Sequence, residues 1–191
     1  MKKLTIAVLA VVCLLTVGCG AKEQAVTPLK ELPPDYTLEQ AKADGCVVHE
    51  DGDVSSGQEV WEAFVSDAAA GKITAVRLYD CYTLDPERCT PEYYEAEKNN
   101  YPHMFIQDLS FDGGTYTLRW FENGEEYVRT YEHMLRFEDE AESGTALYSS
   151  YIRYVLTHDE AVTWNDIVYG WASSQFGDGI DASNVYTDLI Y

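Results

Sequence analysis

MFIQDLSFDGGTYTLRWFENGEEYVRTYEHMLRF, the stretch from Met104 to Phe137, decides the fold. It holds three β-rich segments, Met104 to Phe111, Thr115 to Phe121 and Glu126 to Phe137, joined by Asp112-Gly113-Gly114 and by Asn123-Gly124. Asn-Gly supplies the two positive φ angles of a type I′ turn, whose twist matches that of the strands it joins. Tyr116, Leu118 and Trp120 alternate with Thr117 and Arg119; Tyr127, Arg129, Tyr131, His133 and Leu135 alternate with Val128, Thr130, Glu132 and Met134. A period of two, with one apolar and aromatic face and one mixed face, marks antiparallel strands covered on one side.

That face needs a cover, and the cover lies upstream. Val60, Trp61, Phe64, Val65 and Ala68 follow helical spacing, behind a capping box of Ser56 and Glu59 and ahead of Gly71 as the stop. Ile73 to Tyr82 reads as a strand, and Pro91 to Asn100 as a small helix or irregular insert rich in Tyr and Glu. Further upstream, Thr37 and Gln40 cap a short helix that Gly45 stops, and Cys46 to His49 is a brief apolar strand closed by the turn Glu50-Asp51-Gly52-Asp53. Downstream, an acidic turn from Glu138 to Gly144 leads to a strand over Ala146 to Thr157. A final helix, capped by Thr163 and Asp166, carries Trp164, Ile167, Val168 and Trp171 on one stripe before Gly177. The expected architecture is one α+β domain over residues 36–191. In it, an antiparallel β-meander of about four to five strands rests against about two or three helices.

The first residues carry an address. Lys2 and Lys3 precede an apolar run from Leu4 to Val17, then Gly18 and Cys19, the order of a secretory leader over residues 1–18. The run is short of the roughly 20 residues a transmembrane helix needs, and Gly20, Lys22, Glu23 and Gln24 follow at once. Leu15-Thr16-Val17-Gly18-Cys19 resembles the lipobox, whose cysteine receives a diacylglycerol on sulfur. Acyl chains on one residue hold a soluble domain at a bilayer without any help from the protein surface. The competing reading is an ordinary leader with an accidental cysteine; Cys13 is a poor acceptor because branched Val12 precedes it. Residues 19–35, ending in Pro33-Pro34, read as a flexible tether. The expected location is the extracytoplasmic face of the cell membrane, with lipid on Cys19.

Removing Lys2 and Lys3 from 13 basic residues leaves 11 against 33 acids, a net charge of −22. Such a field repels nucleic acid, so affinity built on phosphate contacts is excluded as the chain's function class. The acids are spread along the chain rather than gathered, which suits a soluble monomer at a negatively charged surface. Beyond Cys19 the cysteines are Cys46, Cys81 and Cys89. Cys81 and Cys89 flank a turn-like segment, and an extracellular setting permits a disulfide between them, though spacing leaves the pair equally open as free thiols.

Candidate chemistry is thin. Asp51, Asp53, Ser55, Glu59 and Glu62 copy the ligand offsets of a helix-loop-helix calcium loop, but Ser56 stands where that loop needs glycine and Gly57 comes one place late. The alternative is a β-to-α turn with a Ser cap. His49, His103, His133 and His158 lack the i, i+4 pairing of zinc hydrolases, and His158-Asp159-Glu160, the densest donor cluster, also fits a capped turn. No Gly-x-Ser-x-Gly elbow or phosphate-cradling glycine loop is present. Cys46 beside Val47 reads as an inert core thiol. The 15 tyrosines are a better clue. Tyr93-Tyr94 and the set Tyr148, Tyr151, Tyr154 offer rigid area for a sugar or a protein face, against the plainer reading of β-propensity in half-exposed strands. The expectation is therefore a noncatalytic module binding a protein, peptide or glycan, without cofactor unless calcium. The alternative is a small extracellular hydrolase with a carboxylate/His site, and a third reading is a purely structural role in the envelope.

The order Gly52-Asp53-Val54, a helix with Trp61 and Phe64, Gly71-Lys72, a strand ending Tyr82-Thr83-Leu84-Asp85-Pro86, and Leu109-Ser110-Phe111-Asp112-Gly113 resembles an uncharacterised domain of lipoproteins from Gram-positive bacteria. The resemblance spans about Asp44 to Phe137 and rests on turns and core positions. It implies the lipoprotein address and no catalytic residue. Tyr148 to Tyr191 falls outside it.

Overall fold

The Asn123-Gly124 hairpin forms with φ of 53° and 81°, the two positive angles its sequence asks for. Around it, a computed structural model describes residues 27–141, 146–172 and 179–191; the leader, Cys19, the first part of the tether, Gly144 and Gly177 lie outside the described residues. Among the described residues the chain is mixed α+β, in the order α1 (Leu38–Ala43), β1 (Val47–Glu50), β2 (Asp53–Ser56), α2 (Gln58–Ala69), β3 (Thr74–Tyr82), α3 (Pro91–Glu97), β4 (His103–Phe111), β5 (Tyr116–Glu122), β6 (Glu125–Tyr131), β7 (His133–Glu140), β8 (Ser150–Thr157), α4 (Trp164–Ala172) and β9 (Ala182–Ile190). A six-stranded sheet runs β2-β1-β3-β4-β5-β6 and a three-stranded sheet runs β7-β8-β9. No described helix is long and apolar enough to cross a membrane.

The expected meander is present as β3-β4-β5-β6, all antiparallel, but the strand count exceeds the four to five expected, for three physical reasons. First, Asp53–Ser56 is a strand. Asp51 and Gly52 take φ of 53° and 91°, so the chain reverses tightly and β2 pairs antiparallel with β1. Ser56 lies opposite Val48 in that pairing and is no helix cap; Gly57 holds the N-cap position of α2, without a side-chain cap. Second, the segment read as one strand from Glu126 to Phe137 breaks at Glu132, where the chain leaves one sheet and enters the other. Third, the tail supplies β9, paired along the length of β8. One pairing is also parallel: β1 beside β3, with β2 and α2 as the connection.

Both faces of the large sheet are covered. Trp61, Phe64 and Ala68 of α2 meet Val47, Val76, Leu78, Leu109 and Leu118 on one face, and Leu156, Val185 and Tyr186 of the small sheet complete that core. On the other face Tyr36 and Ala41 meet Cys46, Val48, Tyr79 and Cys81. Here the capping box of Thr37 and Gln40 forms as read, with Gly45 at φ 76°. The last part of the expected tether lies on this face too. Residues 29–31 form a 3-10 turn, Leu32 packs beside Tyr36, and Arg77, held at 2.7 Å and 2.9 Å to the Asp108 carboxylate, also donates to the Thr27 carbonyl at 2.8 Å.

The outer face of the small sheet carries α4. Ile167 is fully buried there, whereas Val168 and Trp171 of the expected stripe stay exposed. Arg153 lies across two rings, 4.7 Å from the Tyr151 centroid and 4.6 Å from that of Trp164.

Candidate functional site

Three segments far apart in sequence enclose a cleft of about 590 Å³ at one end of the large sheet. Asp35 to Glu39, entering α1, form one wall; Tyr94 and Lys98 from the α3 region form another. Cys81, Thr83 and Leu84 at the end of β3 line it as well, with Tyr101, Pro102 and Met104 at the start of β4. Local chemistry fixes each wall. Thr90 caps α3 by accepting from Tyr93 N–H at 3.2 Å, and Pro91 suits the first helical turn. The Asp51 carboxylate accepts from the Thr83 amide and hydroxyl, both at 2.7 Å, which pins the segment leaving β3. Beneath, the Tyr79 hydroxyl reaches Met104 Sδ at 2.7 Å, and burial pushes that phenol up to about 12. The Tyr36 hydroxyl donates to Asp44 at 2.9 Å, which fixes the ring under the entry to α1. A volume of this size falls within the roughly 300–1,000 Å³ of small-ligand sites.

Four of the five residues of the calcium reading make other contacts. Asp51 serves Thr83, Asp53 Oδ1 accepts from the Leu189 amide at 3.2 Å, Ser55 donates to the Val48 carbonyl at 3.4 Å, and Glu62 accepts from Gln58 at 3.2 Å. The five residues are divided among the turn before β2 (Asp51), β2 itself (Asp53, Ser55) and α2 (Glu59, Glu62). A second hollow of about 550 Å³ takes in Ser55, Glu59 and Glu62 but neither aspartate. Among the described residues no group of three or more His, Cys, Asp or Glu is placed to hold a metal ion.

The set Tyr148, Tyr151 and Tyr154 is divided by burial. Tyr151 is 4% exposed, beneath Arg153, and Tyr148 and Tyr154 are both half-buried, Tyr154 meeting Trp61 at 5.2 Å. Covering of both small-sheet faces, by α4 and by α2, is what buries them. Of the tyrosines singled out in sequence, Tyr94 is the one the fold brings into the cleft.

Cys81 and Cys89 are both free thiols. Cys81 faces the core under α1, while the Cys89 thiol, in the turn before α3, donates to the Asp85 carbonyl at 3.2 Å. Burial raises the pKa of Cys46 and Cys81. Iodoacetamide on the native chain is therefore expected to label Cys89 first and to reach Cys46 and Cys81 only on unfolding; a Cys81–Cys89 bridged peptide in a non-reducing digest would contradict this.

The histidines sit on separate elements. His49, 4% exposed, lies with Nδ1 3.0 Å from Asp80 Oδ1 but without hydrogen-bond alignment, and Nε2 accepts from the Thr187 amide at 3.5 Å. Tyr186 stands edge-on to it at 5.3 Å, so His49 is part of the joint between β1 and β9. His103 meets the Tyr101 ring at 4.3 Å, and His133 opens β7. His158 Nδ1 is 2.5 Å from Glu132 Oε2 and Nε2 is 3.6 Å from Asp181 Oδ2, rather than joining Asp159 and Glu160 in a ligand set. The hydrogen bond to Glu132, with Asp181 adding, raises the His158 pKa above its ordinary 6.5. A raised folded value means the clasp is fully present below about 6.5 and is lost as pH climbs through the folded value. Because the pair is half exposed the effect is modest. The Tm gap between the native chain and His158→Gln is expected to be widest near about pH 6 and to narrow as pH rises; a gap that grows with pH would contradict it.

Comparison with protein-family models, with curated proteins and with solved structures finds no match for this chain.

Proposed function

We propose that the chain is an extracytoplasmic lipoprotein of the Gram-positive kind its sequence resembles, held at the membrane by lipid on Cys19. Its folded part is a noncatalytic binding module that works through the cleft between α1 and α3. The observation that carries this reading is the cleft itself: an apolar hollow of about 590 Å³ built from Leu38, Leu84, Tyr94, Tyr101, Pro102 and Met104. Concave apolar surface with a few polar groups at its edge is the usual form of a ligand site. For the hydrolase alternative, buried His49 and its neighbour Asp80 lie outside the cleft lining, with Tyr186 against the imidazole.

Saturation-transfer NMR with indole tests the reading on the full chain in phosphatidylcholine nanodiscs. Signal transfer to indole is expected in the native chain and in Val168→Asp, whose change lies on α4, and is expected to vanish in Leu84→Asp. Equal transfer in all three, or none in the native chain, would remove the cleft as the site.

A further inference from the structure

The cleft's charges restrict what enters it. Its charged lining residues are Asp35, Glu39 and Lys98. Lys98 is already matched, with Nζ 2.6 Å from Glu95 Oε2 one turn back, and Arg88, in the turn after Leu84, lies 3.3 Å from Asp85. Asp35 and Glu39 have no ion-pair partner among the described residues, and both belong to the α1 wall. The net charge of −22 that remains without Lys2 and Lys3 has the same sign. Low-dielectric walls focus such a field, so a cation gains at this wall and an anion loses.

Apolar surface continues past the mouth. Met104 and Tyr93 are 44% and 49% exposed. A metabolite small enough to be enclosed leaves this collar unused. A chain that enters the cleft with one side chain and runs on across the rim covers it, which is how peptide grooves divide affinity between a pocketed anchor and flanking contacts.

We propose that the cleft receives a short extended cationic peptide, one aromatic or long aliphatic side chain lying among Leu84, Tyr94 and Tyr101 and a Lys or Arg beside Asp35 and Glu39. This rests on the cleft being the binding site. The acidic wall then acts as the selector: it accelerates the approach of basic peptides and rejects acidic ones of equal apolar content.

Fluorescence anisotropy on the full chain in phosphatidylcholine nanodiscs tests it, with dansyl-Lys-Trp-Lys and dansyl-Glu-Trp-Glu as probes and indole transfer measured beside them. The basic probe is expected to bind about tenfold or more tighter at low salt, a preference that shrinks as salt shortens the screening length. The double variant Asp35→Lys with Glu39→Lys is expected to reverse the order, whereas Val168→Asp, on α4, is expected to leave both the order and indole transfer unchanged. Equal affinity for the two probes, or binding of neither while indole transfer persists, would overturn the peptide inference and leave the cleft standing as the site. Loss of indole transfer as well would remove both. Saturable transfer to cellohexaose that blocks the basic probe would assign the cleft to a glycan instead.

Discussion

Gly57→Ala is expected to cost about 2–5 kcal/mol, or to prevent folding outright, because two penalties act at one atom. The residue has φ 79°, where an L side chain is strained by roughly 1–2 kcal/mol. A Cβ there would lie 2.3 Å from the Cys46 carbonyl oxygen and 2.8 Å from Val47 Cα, both backbone atoms of the segment leading into β1. Overfilling of this kind costs about 1–3 kcal/mol more, and backbone in a central sheet has nowhere to go. Thermal unfolding is expected to show a Tm lowered on the order of 10 °C. Gly52→Ala is the control: that glycine also has positive φ, 91°, but a Cβ there meets open space, so only the conformational penalty remains. Equal losses for the two variants would show that the close approach at Gly57 contributes nothing.

Trp61→Ala is expected to cost about 3–5 kcal/mol, the usual range for deleting a buried aromatic ring. Trp61 is 2% exposed and is the point where α2 meets the small sheet. Its ring stacks on Tyr186 at 4.6 Å and 3°, and meets Tyr154 at 5.2 Å and Phe64 at 5.5 Å. Its indole Nε1–H is buried without a hydrogen-bond partner among the described residues. An unmet donor costs about 1–3 kcal/mol, so Trp61→Phe removes a penalty along with some volume and is expected to retain most of the stability. Chemical denaturation of the three proteins measures this; Trp61→Phe as damaging as Trp61→Ala would mean that the indole nitrogen has a role in the core that its surroundings do not reveal.

Wherever one local rule governs, the sequence was readable. Asn123-Gly124, the Thr37 cap and the Trp61-Phe64-Ala68 stripe each depend on a few neighbouring residues, and each appears as expected. The errors lie where tertiary context overrides local preference. Asp53-Val54-Ser55-Ser56 has the composition of a capped turn and is a strand only because β1 is there to pair with it. The alternation through Glu132 continues unbroken, and periodicity does not say which sheet a strand joins, so the step from one sheet to the other left no mark. In β9, Asn184 and Asp188 interrupt the apolar pattern; Val185 and Tyr186 are both buried beside a bulge at Tyr154 and Val155, which a simple period of two does not allow. The cleft was legible only in part. Tyr94 stood out by type, but its partners come from residues 35–39 and 81–84 and from the approach to β4, and nothing in their spacing announces that they meet.

The proposed picture is a strongly acidic domain held at the extracytoplasmic membrane face, with an apolar cleft and a carboxylate wall that would receive basic peptides. Every part of that proposal that concerns location depends on a thioether forming at Cys19. Mass spectrometry of the N-terminal peptide, taken from the native chain recovered with the membrane fraction, tests that link most directly. The account predicts a peptide that begins at Cys19 and carries a diacylglycerol on its sulfur. A free thiol at Cys19, or a leader still joined through Gly18, would contradict it.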